Sequence, residues 1–305
     1  SKDRNTMTTT RYVDVTATFD GNGTDAAQAG APAGVGAYNM FRIADYPSGT
    51  DWNVWIRRAG TQTGSSMTFS VNNLHIYGWP KTGDTDYSSR PGSGISAGWD
   101  ADSQDYAQIT STSFTNTMLF VTGTGMEFKR LKLTNTDGSS AGIWVDIQSE
   151  SLFDNNYFLA AIGNGINRKC CVVNSPELVV KTVSLLNTLI SSSIGGTTLQ
   201  ILRANITMTN CNINKTNCGD ETLPVALIRD CVGIIEDTVF EVTGGTKSCS
   251  ALKIEDTSSQ INGAVLLNCT CRNYQGGSVA TTQSIIIKAD CSIYNMTVKG
   301  GPIKV

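Results

Sequence analysis

Residues 202–213 read LRANITMTNCNI, residues 228–239 read IRDCVGIIEDTV and residues 287–298 read IKADCSIYNMTV. In each, an apolar first residue is followed by another six and eleven positions later: Leu202-Met208-Ile213, Ile228-Ile234-Val239 and Ile287-Ile293-Val298. The second position is basic in all three (Arg203, Arg229, Lys288), and the position eight after the first is Asn or Glu (Asn210, Glu236, Asn295). Working outward, Ile147-Phe153-Phe158, with Asn155 in the eighth place, and Val172-Leu178-Val183 fit the same frame; Ile254 with Ile261 and Val265 fits it loosely. A unit that recurs every 25 to 33 residues, with short apolar stretches and joins of variable length, marks a solenoid.

Helical repeat units need Leu and Ala at helical spacing, which these segments lack. The remaining architecture is a parallel β-helix, in which each coil supplies three strands whose alternate residues enter a narrow core and stack on the next coil at about 4.8 Å. Composition agrees: 37 Thr, 28 Ser, 23 Asn and 30 Gly make up 118 of 305 residues, a mixture that resists helix and favours short strands joined by turns. The expected fold is therefore all-β, a right-handed parallel β-helix over residues 109–305. Leu202, Ile228 and Ile287 should point inward above one another, with Asn at equivalent turns forming hydrogen-bonded ladders. A β-sandwich with coincidental spacing is the competing reading.

The first half is built differently. All five Trp fall at or before Trp144, together with six of the nine Tyr, whereas all nine Cys follow residue 169. Residues 1–15 read as an N-terminal arm and 16–108 as a small β cap or the first coils, with one long Gly/Ser/Asp-rich loop at 81–105. The alternating DWNVWIRR of residues 51–58 suits a lateral sheet or a cap, and Met67 to Tyr77 alternates as strands do.

Several functions are disfavoured. Net charge is −3 and no basic run exceeds two residues (Arg57-Arg58, Lys129-Arg130), so binding to nucleic acid through phosphates is not expected. No apolar stretch approaches the roughly 20 residues of a membrane helix, so membrane insertion is not expected either. The first 30 residues lack a leader-type apolar region. The odd number of Cys, without zinc-type spacing, points to reduced, buried thiols and synthesis in a reducing cytoplasm. A single histidine, His75, excludes a polyhistidine site, and no metal or cofactor is expected.

The opening Arg11-Tyr12-Val13-Asp14-Val15, followed by Phe19-Asp20-Gly21-Asn22-Gly23-Thr24-Asp25, resembles the entry of the pectate-lyase-like β-helical spikes of tailed bacteriophages. The motif covers about 15 residues, and it departs from the family where Ala26 follows Asp25 and where AAQAGAPAGVG replaces the usual helix. The resemblance implies a homotrimeric virion surface protein, made in the host bacterial cytoplasm. Its partners would be further copies of itself, a capsid or tail protein, and host surface polysaccharide. With the YVDV-like strand already at residue 11, no virion-anchoring domain is expected before it unless the chain is an excised fragment, and the expectation tilts toward a short spike or capsid decoration rather than a full tailspike.

Cleavage of a glycan needs two carboxylates roughly 5 to 10 Å apart. Glu150 and Asp154, grouped with Trp144 whose ring face can carry a sugar, are the preferred catalytic pair; a surface with 26 acidic residues also places such pairs by chance. Trp99, Trp144 and Tyr106 are the candidate glycan-binding aromatics, because sugar C–H faces pack on rings while Asp and Asn take the hydroxyls. Trp99, in the loop segment GWDAD, is expected to be exposed; packing of a cap or trimer interface competes for all these rings. His75 reads as a hydrogen-bonded surface residue.

Overall fold

The computed structural model of the chain describes residues 8–24, 36–63, 67–91, 97–111, 119–136, 143–163, 169–174, 182–216, 223–244, 249–257, 263–275, 278–279, 285–300 and 303–304. Among the described residues nearly all the regular structure is strand, with one four-residue helix, Ala97–Asp100, and two short 3-10 turns. Three long sheets run along the molecule, and among the described residues every strand pairing is parallel except that of Tyr274 and Gln275 with Ser278–Val279. The chain visits the first, second and third sheets in turn, each strand pairing with the strand one coil away. This is the pattern of a parallel β-helix.

The stack extends back to Thr9–Val13, which pairs with Trp52–Ile56, which in turn pairs with Leu74–Gly78. The DWNVWIRR segment is thus a coil strand of the first sheet rather than a lateral sheet or a cap. What covers the N-terminal end is the segment around Phe41 and Tyr46, whose stacked rings lie 5.3 Å apart, with Phe41 also stacked on Phe69.

The registers correct the frame of the repeat. On the third sheet the inward column runs Val121, Ile147, Val173, Ile201, Ile228, Ile254, Ile287. Leu202 instead lies opposite Arg229 and is half-buried, so Ile201 is the residue stacked on Ile228. On the first sheet the column is Ile76, Phe128, Phe153, Leu185, Met208, Ile235, Leu266, Ile293, which leaves Ile234 facing outward. On the second it is Ile109, Leu133, Phe158, Ile190, Ile213, Phe240, Cys271, Val298, one residue on from the expected Val239. Val183 stacks on Ile206 in the first sheet, and Leu178 lies outside the described residues. In a strand a one-residue slip reverses the face of every side chain.

One corner is invariant. From Phe128 onward the inward residue of the first sheet and that of the second are five apart in every coil. Two residues into this corner the backbone is left-handed throughout: Arg130, Asn155, Asn187, Asn210, Asp237, Asn268 and Asn295 have φ between 48° and 54°. Asn and Asp tolerate that region because their short polar side chains bond locally. Arg130 is the exception in the column.

The next position lines the core of the corner. Cys211 and Cys269 each donate to the carbonyl two residues back, at 3.4 and 3.5 Å, as the hydroxyls of Thr188 and Thr238 do at 2.8 and 2.9 Å. Cys and Thr are interchangeable here because each is small and carries one donor. Seven of the eight described thiols are buried, with Cys291 partly so; Cys218 lies outside the described residues.

Candidate functional site

The second coil breaks the five-residue corner. After Leu74–Gly78 the chain leaves the first sheet and enters the second only at Ala107–Ser111, so residues 79–106 are an insertion at that corner. Gly78 is required there, since a Cβ would lie 2.1 Å from the Arg130 carbonyl oxygen of the next coil. The insertion folds back over the outer face of the first sheet and forms a second apolar cluster of Tyr12, Ala37, Trp55, Trp79 and Trp99. Trp99 is therefore not the exposed ring expected from its loop: it is only 3% exposed and meets Trp79 edge-on at 5.1 Å. Glycine and serine around it gave a polar local sequence, but the other aromatics of the cluster supply an apolar site.

Ionic and carbonyl contacts pin the insertion. Buried Arg58 donates to the carbonyl oxygens of Asp102 and Gln104 at 2.7 and 2.6 Å and to those of Trp99 and Asp100 at 3.3 and 3.2 Å. Arg57 bridges Asp14 and Asp102. Asp100 accepts from Trp79 Nε1 and pairs with Arg90; burial raises its pKa, but these partners outweigh burial and hold it below the usual carboxylate value.

Between the insertion and the coils lies a polar groove on the outer face of the first sheet. One section, of about 220 Å³, is lined by Asn53, Trp55, Tyr77, Asp86, Ser89, Lys129 and Arg130. The adjoining section, about 390 Å³, is lined by residues 83–86 together with Arg130, Asp154, Asn155 and Asn187. They share Asp86 and Arg130, whose side chains form an ion pair at 2.5 Å. From the coil of Asn53 to that of Asn187 the groove crosses five coils, about 19 Å along the axis.

A third depression, about 210 Å³, lies nearer the start of the same strands and is lined by His75, Glu127, Glu150, Leu152, Thr182 and Ser184 among others. His75 Nδ1 sits 3.0 Å from Asn53 Oδ1, as a hydrogen-bonded surface residue. The Tyr77 hydroxyl donates to Glu127 at 2.5 Å; burial and that carboxylate together push the Tyr77 pKa well up, so it remains a donor.

The structure separates the two preferred carboxylates. Glu150 and Asp154 sit at opposite ends of the strand Ser151–Asp154, and four residues of strand put their Cα atoms about 13 Å apart. Glu150 lines the depression with His75, while Asp154 lines the groove with Asp84 and Asp86. Glu150 instead shares its depression with Glu127 of the neighbouring coil, which lies opposite Leu152. The Glu150 carbonyl accepts from Gly125, two residues before Glu127, which places the two Glu Cα atoms roughly 8 Å apart on the diagonal. A periodicity search along one chain does not find such a partner, because it stands 23 residues away on the adjacent coil.

Tyr106 is half-buried at the groove, its hydroxyl 3.4 Å from Asn155 Oδ1, and burial raises its pKa. The Trp144 backbone belongs to the third-sheet strand Ile143–Ile147, and its side chain lies outside the described residues. Asp146, in the same strand, is buried with its pKa raised by burial, and is not among the residues lining these sections. Among the described residues no group of three or more His, Cys, Asp or Glu is arranged to hold a metal ion, and no helix is long and apolar enough to cross a membrane.

Comparison with protein-family models, with curated proteins and with solved structures returned no match in any of the three.

Proposed function

We propose that this chain is a homotrimeric, right-handed β-helical surface protein of a bacteriophage particle, a short spike or capsid decoration that holds host surface polysaccharide. The observation that carries the binding role is the groove beneath the 79–106 insertion. It runs along the coil axis and is lined by carboxylates, amides, a guanidinium and the rings of Trp55 and Tyr77, the combination that binds a chain of hydroxyl-bearing rings.

Self-association is supported by the outer face of the later first-sheet strands. There Ile234 is 49% and Tyr294 57% exposed, Ile234 lies beside Val265, and Leu267 beside Tyr294. Apolar side chains on an outer sheet face are a feature of interfaces. The right hand follows the general rule for parallel crossovers. A capsid or tail protein would be the fixed partner and the virion surface the location.

Light scattering together with a binding assay against host-surface polysaccharide tests this reading. A trimer that retains the glycan is the expected result; a monomer that binds none would sink it. A second reading, cleavage of the polysaccharide, is favoured by the shared depression of Glu127 and Glu150. Release of reducing ends that stops in Glu150→Gln would establish it.

A further inference from the structure

The 79–106 insertion is fastened unevenly. Its second half, residues 97–105, is held by the four carbonyl contacts of Arg58, by the Arg57–Asp102 ion pair and by the packing of Trp99 among Tyr12, Trp55 and Trp79. Residues 82–89 are bonded mostly to their own turn: the N–H groups of Asp84, Tyr87 and Ser89 donate to the carbonyls of Lys81, Asp84 and Asp86 at 3.0 to 3.1 Å. At the far end Arg90 donates to the Tyr87 hydroxyl and pairs with Asp100, still within the insertion. Among the described residues a single hydrogen-bonded ion pair, Asp86 with Arg130, joins residues 82–89 to the coils.

Arg130 is built to hold that contact. Its counterparts in the left-handed corner position are all Asn or Asp, whereas here a long side chain takes φ 54°, a costly region for it. The side chain is 4% exposed, and Nε is fixed on the Gly78 carbonyl at 3.0 Å. Asp86 is 32% exposed, so the pair lies near enough to water for salt to weaken it. Both residues line both sections of the groove, and their ion pair is the partition between the two. Asp154, whose Cα stands beside that of Lys129 on the next coil, lines the larger section with Arg130. It offers the guanidinium a second carboxylate, so that leaving Asp86 does not strand a buried charge.

We propose that residues 82–89 form a flap over the groove, latched by Asp86 on Arg130, and that the latch opens when Arg130 transfers to Asp154. Gly83, at φ 98° with open space where a Cβ would stand, is the near hinge, and the Tyr87–Arg90–Asp100 contacts are the far one. Closed, the ion pair divides the groove; open, it leaves one continuous channel across the coils. The device does not depend on what the groove holds, and it gives the strained backbone at this one corner a use.

Hydrogen exchange on the intact chain, read by mass spectrometry on peptides covering 82–90 and 97–105, tests the latch. Asp86→Asn should speed exchange at 82–90 about fivefold, and Arg130→Asn, which restores the residue type of the column, should do the same, with 97–105 and the coils unchanged. Raising the salt should speed the same amides in the unaltered chain but in neither variant. Asp154→Asn, which removes the second carboxylate, should slow them. Unchanged exchange at 82–90 in either latch variant would overturn the latch. Equal acceleration of 97–105 would show that the insertion moves as one body and overturn the separate flap. An Asp154→Asn chain that exchanges as the unaltered one does would overturn the transfer to Asp154.

Discussion

Nδ2 of Asn210 donates to Oδ1 of Asn187, one coil away, at 2.8 Å, and the backbone N–H of Asn187 donates to the carbonyl of Thr209, just before Asn210, at 3.0 Å. The same side-chain link joins Asn295 to Asn268 at 2.8 Å. Each Asn thus serves twice, accepting the left-handed backbone of the corner and tying its coil to a neighbour. Asn210→Ala should destabilise the protein by about 1–2 kcal/mol, since Ala loses the bond and is strained at φ 52°. Asn210→Gly keeps the conformation and should cost less. Urea unfolding of the pair checks the order, and a larger loss for Gly would refute the strain argument.

The corrected register makes a sharper claim about two adjacent residues. Ile201 is fully buried and Leu202 is not. Ile201→Asp should prevent folding or cost several kcal/mol, while Leu202→Asp should cost about 1 kcal/mol or less. Thermal midpoints of the two variants decide it; equal losses would mean the strand faces the other way.

The buried thiols predict a pH dependence. Burial pushes Cys170 and Cys211 up to about 12 and Cys231 up to about 11, from an ordinary value of 9.0. On raising the pH the unfolded chain releases these protons first, so their stabilisation is complete below pH 9 and declines between about 9 and 12. The slope is up to ~1.4 kcal/mol per pH unit for each thiol. Urea midpoints at neutral and alkaline pH measure it, and Cys211→Thr, which copies Thr188 and Thr238, should flatten the slope at little cost in stability.

Arg58 holds the 79–106 insertion through four backbone carbonyls. Arg58→Ala should loosen residues 97–105, shift Trp99 fluorescence to the red and weaken the proposed glycan binding while the coils stay folded. An unchanged emission spectrum would show that the aromatic cluster alone keeps the insertion in place.

The solenoid was legible because stacked coils demand apolar residues at recurring positions, and Ile147-Phe153-Phe158 and Ile287-Ile293-Val298 were read in their true register. The frame slipped where the joins vary. Ile201 and Met208 are seven apart and Ile254 and Leu266 twelve, while Ile147 and Phe153 are six apart. Ile201 beside Leu202, and Ile234 beside Ile235, offer two apolar neighbours where only one points inward, and composition does not choose between them. The five-residue corner from the first sheet to the second carried the more dependable signal, with its Asn or Asp two residues in.

By itself, the sequence determined an all-β chain of stacked coils, buried thiols inside it and Asn at repeated turns, because these follow from local conformational preference and from the periodicity of apolar side chains. Only the tertiary structure decided which carboxylates meet, that Trp99 is buried and that Arg130 stands between two halves of one groove. Those relations join residues on different coils or across the 79–106 insertion, and neighbours created by stacking leave no spacing along the chain from which they can be read.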